Sequence, residues 1–121
     1  MSAFDELRGI VPLQVWGGVV ARAVSGEEAT LAAIELDPNT EVPEHHHVNE
    51  QIGILVRGAL TFVIGEESKE LGPGATWVIP ADVPHAVSVG PDGAFLIELF
   101  APPREDWGGL ERLEPSPPPG F

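Results

Sequence analysis

The sequence predicts an all-β protein, a barrel or sandwich of short strands in a single domain. Two observations carry that expectation. Short apolar runs recur along the chain, each stopped by a Gly-, Pro- or Asn-containing break, and after residue 10 no stretch keeps the 3.6-residue period of an amphipathic helix. The 14 glycines and 13 prolines are spread along the chain rather than gathered in one linker, which suits many tight turns. At 121 residues there is enough chain for one real core.

The elements follow in order. Residues 1–9, MSAFDELRG, are expected to form a short helical turn with Ser2 as its N-cap. From Val11 onward the chain reads as strands. Val19–Val24 alternates weakly, and Ala29–Leu36 is a longer apolar run stopped by Asp37-Pro38-Asn39. Glu41–His47 is a candidate strand that carries three consecutive histidines. Gln51–Val56 is apolar on both faces, as expected of a strand between its own sheet and a partner surface, and so predicts a homodimer. Arg57-Gly58 is expected to turn the chain. Ala59–Ile64 and Ser68–Leu71 read as a hairpin across Gly65-Glu66-Glu67, and Gly72-Pro73-Gly74 as a further turn. Thr76–Ile79, His85–Val89 and Ala94–Phe100 complete the strands. Beyond Gly108 the chain changes character, with Pro115, Pro117, Pro118 and Pro119, few apolar residues and no alternation. Residues 1–107 are therefore expected to be the barrel and 108–121 a Pro-rich tail, partly extended or disordered. Trp16 and Trp77 are expected to pack, Trp107 to cap the barrel or a partner surface, and Arg57 to sit in a surface salt bridge.

Charge narrows the partners. The formal net charge is −13 and the sequence pI about 4.4, a surface that repels nucleic acid and anionic lipid. The absence of cysteine excludes disulfides and thiolate metal sites. The acidic N-terminus has no basic region followed by an apolar one, and no run approaches the ~18 apolar residues of a membrane span. A cytoplasmic protein is expected.

The four histidines fall in two short segments, His45-His46-His47 and His85. Strand alternation turns His45 and His47 the same way and His46 the other. Six residues of extended chain would carry Gln51 roughly 20 Å from His45, whereas a metal–ligand bond is about 2 Å long. If Gln51 is to join them, the chain must fold back at Val48-Asn49-Glu50, where Asn49 is a good turn residue. His85 has to arrive from a third strand. Three neutral imidazoles and an oxygen donor suit one divalent transition metal, Zn, Ni, Fe or Mn, better than Ca or Mg. Glu50 is a rival to Gln51 as the oxygen donor. Taken singly, each histidine is as readily polar surface or a hydrogen-bonded core residue.

These segments resemble the two motifs of the cupin superfamily. The first has the form His-x-His, three or four residues, Glu, six residues, Gly. It reads here as His45, His47, Gln51 and Gly58, with glutamine in the glutamate place. The second, Gly-x5-Pro-x-Gly-x2-His-x3-Asn, reads as Gly74, Pro80, Asp82, His85 and Val89. The resemblance implies a single cupin, jelly-roll-like β-barrel holding one metal at His45, His47, Gln51 and His85. Glu98-Leu99-Phe100-Ala101-Pro102-Pro103-Arg104 further resembles the final strand of the pectin-degradation cupins of the KdgF type. Those open the ring of 4,5-unsaturated uronates with a His/His/Gln/His metal set, and an Asp, a Phe and an Arg of that stretch belong to their active site. The corresponding residues are Glu98, Phe100 and Arg104. Glu98 keeps the carboxylate and adds a methylene, enough to move an acid–base group by an ångström.

The chemistry can be read beside the resemblance. A neutral ligand set leaves the ion its full charge for binding an anionic small molecule and polarising an oxygen. Glu98 could then move a proton, Arg104 pair with a substrate carboxylate, and Phe100 form a wall. A structural Glu98–Arg104 ion pair and a core Phe100 are the plainer readings of the same residues. A metal-dependent isomerase or ring-opening enzyme leads. A single-cupin polyketide cyclase, a dioxygenase and a non-catalytic ligand-binding module are the alternatives.

Overall fold

The computed structural model describes residues 2–121. Nine strands form one antiparallel system: β1 Leu13–Trp16, β2 Val19–Ser25, β3 Thr30–Leu36, β4 Glu41–His45, β5 Glu50–Ile64, β6 Glu67–Leu71, β7 Thr76–Ile79, β8 His85–Ala101 and β9 Glu111–Arg112. The order is β6-β5-β8-β3-β2-β1-β9, with β4 paired to β8 and β7 to β5. Of the turn expected over residues 1–9, Met1 lies outside the described residues. The rest holds one 3-10 turn, Leu7–Gly9, with no side-chain cap, and the Ser2 hydroxyl accepts instead from the Phe4 N–H.

Two expected breaks are absent. Gln51–Val56 and Ala59–Ile64 are halves of one strand, β5, and His85–Val89 and Ala94–Phe100 are halves of β8. The two long strands pair from Glu50↔Ala101 to Ile64↔His85, with bulges around Arg57 and Gly58. There each strand exchanges its other neighbour. β5 passes from β7 to β6, and β8 from β4 to β3. Gly58 makes the bend: its φ is 86°, and a Cβ there would lie 2.0 Å from the Gly93 carbonyl oxygen. What reads locally as a turn is a kink that closes a sheet on itself.

Alternation then sorts the residues. The first half of β5 is buried at Gln51, Gly53 and Leu55 and exposed at Glu50, Ile52 and Ile54. Inward-facing Leu55, Leu60, Phe62, Ile79, Val87 and Leu96 build the core, and Trp77 and Trp107 join it. On the outer face, Val24, Leu31, Leu99, Ile52 and Val78 are consecutive register partners across five strands. Each is between 39% and 58% exposed.

The segment after Gly108 is extended, but it lies along the barrel. β9 pairs with β1, Pro118 is fully buried, and the Phe121 ring sits 5.8 Å from that of Phe95. Arg22 Nε donates to the Ser116 carbonyl at 2.9 Å, and Arg57 Nη2 donates to the carbonyl of Pro119. The physical reason is complementarity. Proline-rich chain offers carbonyl acceptors with few N–H groups to satisfy, and buried Arg22 needs acceptors. Among the described residues Arg57 makes no salt bridge. Its guanidinium lies 4.8 Å over the Phe95 ring and holds the chain end.

Candidate metal centre

β4 stops at His45, opposite His85 at the start of β8. His46 and His47 lie past the strand end, yet the alternation persists: His46 is exposed, with Nδ1 3.8 Å from Asp82 Oδ1, while His47 turns inward. The chain folds back at Val48-Asn49 and re-enters as β5 at Glu50. Asn49 is buried, and its side-chain amide donates to the carbonyls of Pro102 and Pro103, tying this loop to the exit of β8. Asp82 stands where the cupin motif has glycine, and its backbone is left-handed, with φ 62°.

One ring nitrogen from each of His45, His47 and His85 lies within 4.8 Å of the others. The opposite nitrogens are engaged. Nδ1 of His45 faces the Pro43 carbonyl at 2.8 Å, that of His47 the Asn49 carbonyl at 3.0 Å, and that of His85 the Val83 carbonyl at 2.8 Å. A carbonyl only accepts, so in each neutral ring Nδ1 carries the proton and Nε2 presents a lone pair. Nε2 of His85 is buried without any hydrogen-bond partner. Burial pushes the His85 imidazole down to about 4. Burial, and next the charge of Arg104, lowers that of His47. Burial thus disfavours the charged form of His47 and His85, and the Nε2 nitrogens that the Nδ1 contacts leave bare fit a divalent transition metal.

Gln51 and Glu50 part company on β5. Glu50 is exposed, and Gln51 is buried with Oε1 3.0 Å from His47 Nε2. Glu98 is buried behind it, where its Oε2 accepts from Gln51 Nε2 and, at 2.8 Å, from Trp77 Nε1, while Oε1 accepts no hydrogen bond. Burial raises the Glu98 carboxyl, and the donors Gln51 and Trp77 and the charge of Arg104 oppose it. Arg104 does not pair with Glu98. Its Nε and Nη2 donate to the two carboxylate oxygens of Asp106 at 3.1 and 2.9 Å. That contact holds the Asp106 carboxyl below its usual range. The Arg104 guanidinium lies 4.8 Å over Phe100 and 4.6 Å over Trp107. Phe100 is core and site wall at once: it is 2% exposed and sets its ring edge-to-face with His47 at 5.9 Å.

A cavity of about 220 Å³ joins these groups, lined by His45, His47, Gln51, His85, Glu98 and Arg104 among others. A larger hollow of about 890 Å³ is an open groove between the N-terminal segment and Glu105–Gly109. It shares Arg104 and Trp107 with the site, but none of the histidines lines it. Two contributors carried no local signal of this role: Trp77, expected to pack, donates to Glu98, and Asp106 pairs with Arg104.

A cupin domain model matches residues 32–98. Solved structures agree. An RmlC-like cupin from Shewanella frigidimarina is 25% identical, with a TM-score of 0.80 over 88% of this chain and 96% of that one. KdgF from a Halomonas species is 23% identical, with a TM-score of 0.78 over 88% and 98%. Oxalate decarboxylase from Bacillus subtilis shares the fold over 69% of this chain and 25% of its own, at 22% identity and a TM-score of 0.64. A search of curated proteins found no match. Among the described residues no helix is long and apolar enough to cross a membrane. With the motif intervals, the barrel and the matched domain in agreement, the chain belongs to the cupin family, as a single-domain member similar in structure to KdgF.

Proposed function

We propose that this cupin is a metal-dependent isomerase that opens the ring of a 4,5-unsaturated uronate or a closely related anionic sugar acid. The supporting observation is the convergence of three bare imidazole nitrogens and the Gln51 carbonyl oxygen on a cavity that also receives Glu98 and Arg104. His45, His47, Gln51 and His85 would hold one divalent ion. Such an ion, when bound, supplies a positive charge that polarises a substrate hydroxyl or carbonyl oxygen. The remaining work falls to side chains. Glu98 has one oxygen anchored by two N–H donors and the other free, so it can exchange a proton with substrate without losing its place. Burial raises its carboxyl, which favours taking up a proton. Arg104, steadied by Asp106 and lying over both Phe100 and Trp107, makes no hydrogen bond through Nη1 among the described residues, which leaves that group for a substrate carboxylate. Phe100 walls the cavity and excludes water. At about 220 Å³ the space is below the ~300–1,000 Å³ of drug-sized pockets, in keeping with a single small sugar acid.

The test is loss of ultraviolet absorbance from 4,5-unsaturated galacturonate on adding metal-loaded protein. Acceleration over the spontaneous rate is expected. No acceleration, with metal confirmed present, removes this substrate and leaves the cyclase, dioxygenase and binding-module alternatives.

The same reading includes a homodimer. The aliphatic row Val24, Leu31, Leu99, Ile52 and Val78 is uncharged in a chain of net charge −13, so it is a surface where two like-charged copies can touch. Light scattering on the purified protein, expected to give twice the chain mass, checks this.

A further inference from the structure

We infer that Trp77, Glu98 and Gln51 form a relay of hydrogen-bond polarity that aims the Gln51 carbonyl oxygen at the three histidines, and that Gly53 makes room for it. This rests on the metal reading above and assigns roles within it. Trp77 Nε1 can only donate, and it donates to Glu98 Oε2 at 2.8 Å. Oε2 accepts a second bond, from the Gln51 NH2, and any proton of the buried carboxyl is left to Oε1, so the NH2 is the group of Gln51 that faces Oε2. The amide is planar, and its oxygen is thereby turned the other way, to 3.0 Å from His47 Nε2. That nitrogen is itself a lone pair, because Nδ1 of the same ring donates to the Asn49 carbonyl. Two acceptors thus stand face to face, an arrangement that a cation between them satisfies and that a flipped amide would abolish.

The lateral register builds the relay. Gly53 on β5 is the direct partner of Trp77 on β7 and of Glu98 on β8, so the three stand in one row, with Gln51 next inward-facing along β5. To reach Glu98 the indole must cross the backbone of β5. A Cβ on Gly53 would lie 2.5 Å from Nε1, Cε2 and Cζ2 of Trp77. Glycine is required here for a close approach, not for a turn. Trp77, Glu98 and Gly53 are therefore positioning residues for the fourth ligand. Glu98 serves this role through Oε2 and leaves Oε1 for substrate.

Cobalt binding to the whole, metal-stripped protein, followed by calorimetry and by the visible Co(II) spectrum, tests the relay without any substrate. Glu98→Leu removes the acceptor and should weaken Co(II) binding ~10- to 100-fold, the usual cost of losing an outer-shell partner, with an altered spectrum. Glu98→Gln still offers one acceptor oxygen to both donors and should restore affinity to within about threefold. Gly53→Ala displaces the indole and, like loss of the indole itself, should be nearly silent alone and cost about tenfold when combined with Glu98→Gln. If Glu98→Leu fails to fold, Trp77→Phe combined with Glu98→Gln carries the test. Either change alone should be nearly silent, and together they free the new amide to flip and should cost about tenfold. Wild-type affinity and spectrum in Glu98→Leu or in the double variant would overturn the relay, as would loss of binding in Glu98→Gln. Wild-type protein that binds no Co(II) would instead sink the metal reading, and the relay with it.

Discussion

Glu98 and Leu99 are neighbours on β8 and face opposite problems. Glu98 points into the barrel, buried, with two donors on one oxygen, and it lines the cavity that the histidines share. Leu99 points out and is 39% exposed in a row of aliphatic side chains that nothing among the described residues covers. On the inner face, polar groups have been taken out of water, so each needs a partner of the right polarity. On the outer face, apolar groups have been left in water, so they need area rather than geometry. The same alternation that sends Gln51 in sends Ile52 out. The candidate metal site and the exposed aliphatic row are two sides of one sheet, and a one-residue slip of β5 would destroy both.

The sharpest way to break the inner face is to remove its chemistry and keep its shape. Glu98→Gln should lower kcat ~10²- to 10⁴-fold on an unsaturated uronate, the usual share of a general acid–base group, while Co(II) affinity stays near wild type. Arg104→Ala should act mainly on KM, because it removes binding rather than proton transfer. Its loss should be smaller than that of Glu98→Gln in kcat/KM. Steady-state kinetics on the metal-loaded proteins separates the two.

The outer face should break differently. Leu99→Asp places a carboxylate in the centre of the aliphatic row, opposite Leu31 and Ile52. The dimer should weaken at least about tenfold, roughly 1.4 kcal/mol, as read by light scattering across a dilution series. Co(II) affinity should be untouched. A mass that does not change, or metal binding that falls in parallel, would mean that the two faces are not independent.

Acid distinguishes them again. In metal-free protein, burial holds His85 at about 4 against an ordinary value near 6.5. The unfolded chain takes up this proton as pH falls through 6.5, and the folded chain does not until about 4. Stability should therefore fall with pH across that window and level off below it, by an amount on the order of 2–3 kcal/mol from this group. His47, lowered for the same reason, adds in the same direction. Glu98 works in the opposite sense, because burial disfavours its charged form as pH rises. Melting temperature against pH, in wild type and in His85→Gln, isolates the His85 part. The smallest effect belongs to His46→Ala: metal content by elemental analysis should be nearly unchanged, because this ring is turned to solvent.

Much of this was legible before any coordinates. The cupin motif intervals pointed to the barrel and brought together His45, His47 and His85, and strand parity turned His46 away. Gln51 against Glu50 was open from the residues alone, and parity on β5 places one inside and the other outside. Gly58 and Asp82 were recognisable as backbone positions, though not for what they do. The Gly58 bend reads as a turn in a local window, which cannot see Gly93, the reason the bend is tight.

What the one-dimensional pattern contained was periodicity, punctuation and the kinds of donor available, since these depend on residues near one another in the chain. The lateral row Trp77–Gly53–Glu98, the pairing of Arg104 with Asp106 across its stacking rings, and the Pro-rich end laid over Arg22 and Arg57 were decided in three dimensions. Register between strands tens of residues apart sets the first. A 3-10 turn at Glu105–Gly109 sets the second, by folding Asp106 back onto Arg104. The third answers a need for acceptors that arises only once two arginines are held against the sheet. In each, a donor's polarity is local knowledge, and its partner exists only after the sheet has closed.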